Sequence, residues 1–305
     1  MSALHAALAL AIATVWGLTF VSIRSALEVM PPFALSAWRF GLAAFPLVLF
    51  VGWPRVPWRW LAAYGLLIAL GQFVVLFIAI RLGIPAGLAS LVIQTQVFFT
   101  VLFAVVFFGE PVGWRPIVGA LTAAVGLLLI GLEKAREGSG LALALVIVAA
   151  FFWALGNTVA KHVQRHASAR GEGAISPLNF SAWSSLLAVP PLVSLAAGVE
   201  GATALAIPVS TGLSQLWGHL AVLAYAAQVF GYGFWAWLLM RNDAAAVSPF
   251  ALWVPVAGML STAWVFGERL TALAWTGSAI VLIGLAVAVW PARRLSLTPS
   301  SSRAT

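Results

Sequence analysis

Ten long apolar runs, broken by proline, glycine and charge, constrain this chain more than any other feature of its sequence. A helix needs about 20 mostly apolar residues to cross the hydrocarbon core of a bilayer. Runs of that kind occupy residues 4–27, 32–52, 58–80, 85–108, 113–132, 141–162, 177–198, 212–239, 244–266 and 272–290. The breaks contain Pro31-Pro32, Pro54-Arg55, Pro85, Pro111, the stretches 133–140 and 170–173, and Pro291. Proline suits the first turn of a helix, where its missing N–H has no partner to lose. A membrane β-barrel would instead alternate polar and apolar residues over segments of about ten. With 63% hydrophobic and 8% charged residues, the chain has too little charge to wet a globule and too much apolar surface to stay disordered. It has no cysteine, which removes disulfides, thiolate metal sites and cysteine nucleophiles.

The start of the chain carries no Lys or Arg and only His5, so the positive leader of a signal peptide is missing and 4–27 is expected to be a permanent span. The Ser/Thr-rich end at 293–305 is expected to be a polar cytoplasmic tail. Lys and Arg accumulate on the cytoplasmic side of membrane proteins. With both termini inside, the inner segments hold Arg55, Arg59, Arg115, Lys161, Arg165, Arg170, Arg241, Arg293, Arg294 and Arg303. The outer ones hold Arg24, Arg81, Lys134, Arg136 and Arg269, and this imbalance favours cytoplasmic termini. The net charge of +8 is thereby a matter of topology. No soluble segment is long enough to present the basic face that nucleic-acid binding requires.

The chain repeats itself. Glu110, Gly119 and Gly126 return as Glu268, Gly277 and Gly284 at a common offset of 158, and Ser90 returns as Ser248. Both acids close a Phe-Gly-Glu triplet, at 108–110 and 266–268. Ser36-Ala37-Trp38 recurs as Ser181-Ala182-Trp183, Pro46 as Pro191, and Trp16 as Trp153. Each unit holds five spans, an odd number, so the second enters the membrane from the opposite face. The expected architecture is an all-α membrane protein of ten helices, built as two five-helix inverted-topology repeats around a central cavity. The units are 1–137 and 138–292.

On this frame the segment Trp16–Phe20, the triplet Trp38-Arg39-Phe40 and the Phe-Gly-Glu ends of spans four and nine resemble the drug/metabolite transporter superfamily, in particular its ten-helix EamA-like transporters. The resemblance covers residues 4–290. Within that group the chain looks most like the aromatic amino-acid exporters of the YddG type. It implies a basket of ten helices, a central cavity and alternating access for small metabolites or drugs. Arg39 departs from the internal symmetry, because its repeat partner is Ser184. It is accordingly assigned to the fold and not to a clamp for a substrate carboxylate.

Ionisable groups inside a membrane are costly and mark function by default. Here every Asp and Glu falls at a span end or in a loop. Glu110 and Glu268 are gating candidates, against a plain helix-end role; Pro46 and Pro191 are candidate hinges, against static kinks. His162 and His166 share a helix face but lack the further ligand and base of a zinc site, so no metal is expected. At mid-depth stand amides and aromatic rings, which must find hydrogen bonds or face water. Trp16, Gln72, Gln94, Gln96, Trp153, Asn157, Trp183, Tyr225, Tyr232 and Trp235 are the candidates for a substrate chamber, with only one of Gln94 and Gln96 facing it. Such a lining suits an amphipathic or aromatic solute.

No nucleotide-binding P-loop is present, and no mid-membrane carboxylate offers itself as a proton carrier. The expected activity is inner-membrane export of small amphipathic metabolites, foremost aromatic amino acids, by a monomer without ATP hydrolysis or cofactor. The alternatives are a multidrug or other metabolite permease, a channel, or an intramembrane enzyme. An enzyme would need a convergent catalytic pair, which the chain lacks.

Overall fold

A computed structural model describes residues 1–136, 139–169, 175–206, 213–242 and 247–289. The tail at 293–305, the break at 170–173, Glu137, Asp243 and Trp290 lie outside the described residues. Ten helical segments follow one another among the described residues: α1 (Ala3–Val29), α2 (Pro32–Ala44), α3 (Trp58–Arg81), α4 (Ala86–Phe108), α5 (Trp114–Arg136), α6 (Gly140–Ala169), α7 (Pro177–Glu200), α8 (213–241), α9 (248–266) and α10 (Ala272–Val289). Six have the length and hydropathy to cross a membrane, α2 among them when the chain is followed on to Leu49. The segments α5, α9 and α10 carry shorter apolar stretches.

Helix ends explain where the sequence places its few polar groups. The first N–H groups of a helix have no partner within it. At α2, which starts behind Pro31-Pro32, the Glu200 carboxylate accepts from the N–H groups of Phe33 (2.8 Å) and Ala34 (2.9 Å). At α4, which starts behind Pro85, Glu268 accepts from Ala86 (3.0 Å) and Gly87 (3.2 Å). Both acids therefore sit where the helix dipole favours negative charge.

Helix pairing respects the five-helix period. Among the pairs in contact are α1 with α9 and α4 with α6, α1 with α8 and α3 with α6, α3 with α7 and α2 with α8. Advancing each helix by five positions converts one member of each couple into the other. The helices α2, α4 and α5 also pack against α7, α9 and α10, their own counterparts. These last pairs run antiparallel: Gly41 lies near Val189 while Phe33 reaches Glu200, and Ser90 lies near Gly258 while Gln94 reaches Ala251.

The repeated glycines are the contact surface of α5 and α10. A Cβ on Gly119 would stand 2.5 Å from the Gly284 carbonyl oxygen, and one on Gly126 would stand 2.5 Å from that of Gly277. Lipid tails are as apolar as leucine, so membrane helices associate largely by close backbone packing at small residues. Large apolar side chains such as Phe50, Trp264 and Leu121 cover the outside.

Two expectations about shape change. The helix α2 ends at Ala44 and passes through a short 3-10 turn (Leu47–Leu49), so Pro46 terminates a helix. The helix α7 runs through Pro190-Pro191 instead. The two prolines are not matched kinks, because the chain turns away after one and continues after the other.

Gly126→Ala is expected to lower stability by about 1–3 kcal/mol, the usual cost of overpacking. Gly218→Ala, with nothing within 4 Å of the added carbon, is expected to change it little. Thermal unfolding of the two variants in detergent tests the contrast.

Candidate functional site

Two widened helical turns shape the centre of the molecule. Residues Leu67–Val74 of α3 and Val222–Gly231 of α8 are π-helical. Such turns are often found at functional sites, and they shift the backbone hydrogen-bond ladder. In α8 the Ala227 carbonyl accepts the indole N–H of Trp16 at 3.0 Å. Trp16 in turn lies against Tyr232 and Trp235, with ring centroids 5.2 and 5.1 Å away.

These rings wall a chamber of about 320 Å³ between α1, α2, α3, α4, α6, α8 and α9. Of the residues proposed from sequence, Trp16, Gln72, Gln94, Gln96, Trp153, Asn157, Tyr232 and Trp235 line it. Asn157 donates to Gln96 Oε1 (3.1 Å), which also accepts from Thr100 (3.0 Å), tying α6 to α4. Gln94 and Gln96 both face the chamber, against the expectation that one would. Residues Ile93–Thr95 form a 3-10 turn. At three residues per turn, positions two apart lie about 120° from each other, instead of about 160° in an α-helix.

Two candidates fall elsewhere. Trp183 donates to the Gly52 carbonyl at 3.1 Å and packs on Trp53, at the end of α7. Tyr225 is 39% exposed, and its hydroxyl donates to the Phe45 carbonyl. Both were placed by span depth alone, and depth does not say which way a helix face points. His162 packs between Trp60 and His166 outside the chamber. Arg39, assigned from sequence to the fold, lines it, as do Thr19 and Phe73.

A second cavity of about 330 Å³ shares Tyr232 and Trp235 with the chamber. It extends past Ala160 and Gln164 to Pro177, toward the end of α6 that carries Lys161.

At that end the Phe-Gly-Glu triplets acquire a structural meaning. Gly109 and Gly267 adopt left-handed backbone (φ +64° and +63°), which stops α4 and α9 and turns the following glutamate back. Glu110 accepts from Lys161 at 2.5 Å and from Arg165; Glu268 accepts from Arg24 at 2.5 Å. The phenylalanine of each triplet lies beneath the cation, Phe108 under Lys161 and Phe266 under Arg24. Arg24 and Lys161 are separated by 137 positions, the same offset as Trp16 and Trp153. Glu268 holds the start of α4 and Glu110 follows its end, so the two assemblies stand at opposite ends of that helix. They are not equally closed. The Glu268 side chain is 9% exposed and also holds the start of α4, whereas that of Glu110 is 34% exposed.

The EamA-like transporter family model matches this chain twice, over residues 4–132 and 140–290. The chain belongs to the EamA-like transporter family. Proteins of Salmonella typhimurium and Escherichia coli, each described as a probable amino-acid metabolite efflux pump, are 38% and 37% identical to it. The first similarity covers 93% of this chain and 94% of the relative; the second covers 96% and 97%. An uncharacterized transporter of Archaeoglobus fulgidus is 26% identical over 90% of this chain and 95% of its own. A solved crystal structure, 20% identical, matches 98% of this chain and 100% of its own with a TM-score of 0.63, which is a likeness of fold. The protein is a multi-pass membrane transporter of two-repeat, all-helical build, and not an enzyme.

In this EamA-like transporter the hydrogen bond from Lys161 holds the Glu110 carboxyl below its ordinary value of 4.5, against a smaller opposing effect of desolvation. A depressed carboxyl pKa adds stability that is complete above the ordinary value and disappears as pH falls through the lowered one. Glu110→Gln is therefore expected to unfold at a lower temperature than the parent at pH 7. The gap should close only in acid below pH 4.5. Unfolding curves across pH measure it. Trp16→Phe leaves the Ala227 carbonyl without its donor. It is expected to cost about 1–3 kcal/mol of stability and to weaken solute binding, measured by thermal unfolding and by transport.

Proposed function

We propose that this EamA-like transporter exports small amphipathic metabolites, foremost amino acids with aromatic or apolar side chains, from a bacterial cell across its inner membrane. The observation that carries the reading is the chamber itself. Aromatic rings (Trp16, Trp153, Tyr232, Trp235) and amides (Gln72, Gln94, Gln96, Asn157) share one wall. Such a wall accepts a solute that is part apolar and part hydrogen-bonding. The names of the Salmonella typhimurium and Escherichia coli relatives, probable amino-acid metabolite efflux pumps, support the same solute class and direction.

Transport proceeds by alternating access between two inverted units, 1–137 and 138–292, with both termini in the cytoplasm. The antiparallel course of the paired helices α2/α7, α4/α9 and α5/α10 supports the inversion. The paired Glu–cation assemblies at opposite ends serve as the two gates, Arg24–Glu268 outside and Lys161–Glu110 inside. The deeper burial of Glu268 and the second cavity on the Lys161 side support a chamber that is sealed outward and open inward. The unit of function is a monomer, and flux follows the solute gradient without ATP.

Counterflow in proteoliposomes tests this reading. Vesicles preloaded with L-phenylalanine or L-leucine are expected to take up the labelled amino acid saturably at equal pH on both sides. Trp16→Ala and Trp153→Ala should reduce the initial rate about tenfold or more, since indoles at the centre of a binding wall contribute several kcal/mol of contact. Flux that does not saturate would favour a pore. Exchange of amphipathic cations but not of amino acids would favour a multidrug permease.

A further inference from the structure

Among the described residues, the chamber wall contains a cation with no anion recorded against it. Arg39, on α2, is 3% exposed and lines the chamber. Its Nε and Nη1 atoms are buried without a hydrogen-bond partner. Its guanidinium carbon lies 3.7 Å from the centre of the Phe73 ring, so one face is covered by an aromatic surface. Described carboxylates are engaged at helix ends: Glu200 on α2, Glu268 on α4 and Arg24, Glu110 on Lys161 and Arg165, and Glu133 on Thr271. Gln72 also lines the chamber, and its Oε1 is likewise buried and unpartnered.

Desolvating an unpaired guanidinium is costly, and a cation–π contact returns only part of that cost. A group left in that condition facing a cavity is set to receive a ligand. A guanidinium presents a planar fork of donors that matches a carboxylate, whereas an orphaned amide oxygen can only accept. Donor and acceptor together complement an α-amino acid's two charged groups.

We infer that Arg39 and Gln72 form the head-group subsite of the transporter, Arg39 taking the solute carboxylate and Gln72 Oε1 its ammonium. The aromatic rings of the chamber then hold the side chain. This inference rests on the amino-acid reading above and sharpens it: the carboxylate becomes the preferred head group, and simple amines are disfavoured. Arg39 changes from a fold residue, as its unmatched place in the repeat suggested, to a specificity-determining one. Its lack of a symmetry mate (Ser184 stands opposite) fits a solute that binds in one orientation.

The test compares three competitors of labelled L-phenylalanine counterflow in proteoliposomes of the full chain: L-phenylalanine, its carboxamide and 3-phenylpropanoate. For the parent, the carboxamide is expected to compete about 10–100-fold more weakly than the amino acid, the range that a charge-assisted hydrogen bond supplies. Arg39→Gln should bring the two within about twofold of each other, and Arg39→Lys should fall between. Gln72→Met should erase the advantage of the amino acid over 3-phenylpropanoate. The comparison within the parent needs no variant, so it stands even where Arg39→Gln fails to fold. Equal competition by amino acid and carboxamide in the parent would overturn the inference while leaving amino-acid transport intact. Absence of counterflow with phenylalanine and with leucine would instead remove the amino-acid reading, and the subsite with it.

Discussion

Hydrocarbon offers no hydrogen bond to an N–H, a carbonyl or a charge, and the layout of this transporter follows from that deficit. Backbone groups are closed within helices, as they must be in lipid. Glu200 and Glu268 satisfy the N–H groups at the starts of α2 and α4, and Glu268 and Glu110 also pair with cations at opposite ends of the bundle. With no hydrophobic drive between helices, the bundle is joined by close contact. The carbonyls of Gly277 and Gly284 occupy the space that side chains on Gly126 and Gly119 would fill. The deficit is left uncorrected at Arg39 and Gln72, which line the central chamber, and also at Ser184, Gln228 and Ser278, which do not.

The duplication gives many parts of the molecule a counterpart, though not Arg39, and the differences between counterparts are informative. The Phe-Gly-Glu triplet is a compact device: a ring under a cation, a left-handed glycine that ends the helix, and a carboxylate turned back to the next element. One copy is drawn in over α4 and the other stays more exposed. Trp16 and Trp153 both line the chamber, whereas only Trp16 closes on the widened turn of α8. A carrier that alternates between two states needs such matched but unequal parts, because each state exchanges the roles of the halves.

Most of the fold was legible because its causes are local. Apolar runs of bilayer length announce helices whatever their neighbours are, and the recurrence of Glu110, Gly119 and Gly126 announced two units before any packing was known. Much of the chamber was legible for a related reason: an amide or indole at mid-depth, such as Asn157 or Trp16, has little to do in lipid and must turn inward. Depth failed for Trp183 and Tyr225, which turn their polar atoms to the carbonyls of Gly52 and Phe45. It also failed for Gln94 and Gln96, where a change of helical pitch brought both to one wall.

The sequence alone determined the solvent of this protein, the lengths of its helices, their duplication, and the placement of carboxylates at helix ends. Each of these depends on transfer from water to lipid, which a residue undergoes largely on its own account. Only the tertiary structure decided which face of each helix meets the chamber, which glutamate is clamped, and that Arg39 is left unpaired within the wall. Those outcomes depend on the rotation and pitch of helices packed against partners far away in the chain. A widened or tightened turn changes them without changing hydrophobicity at all.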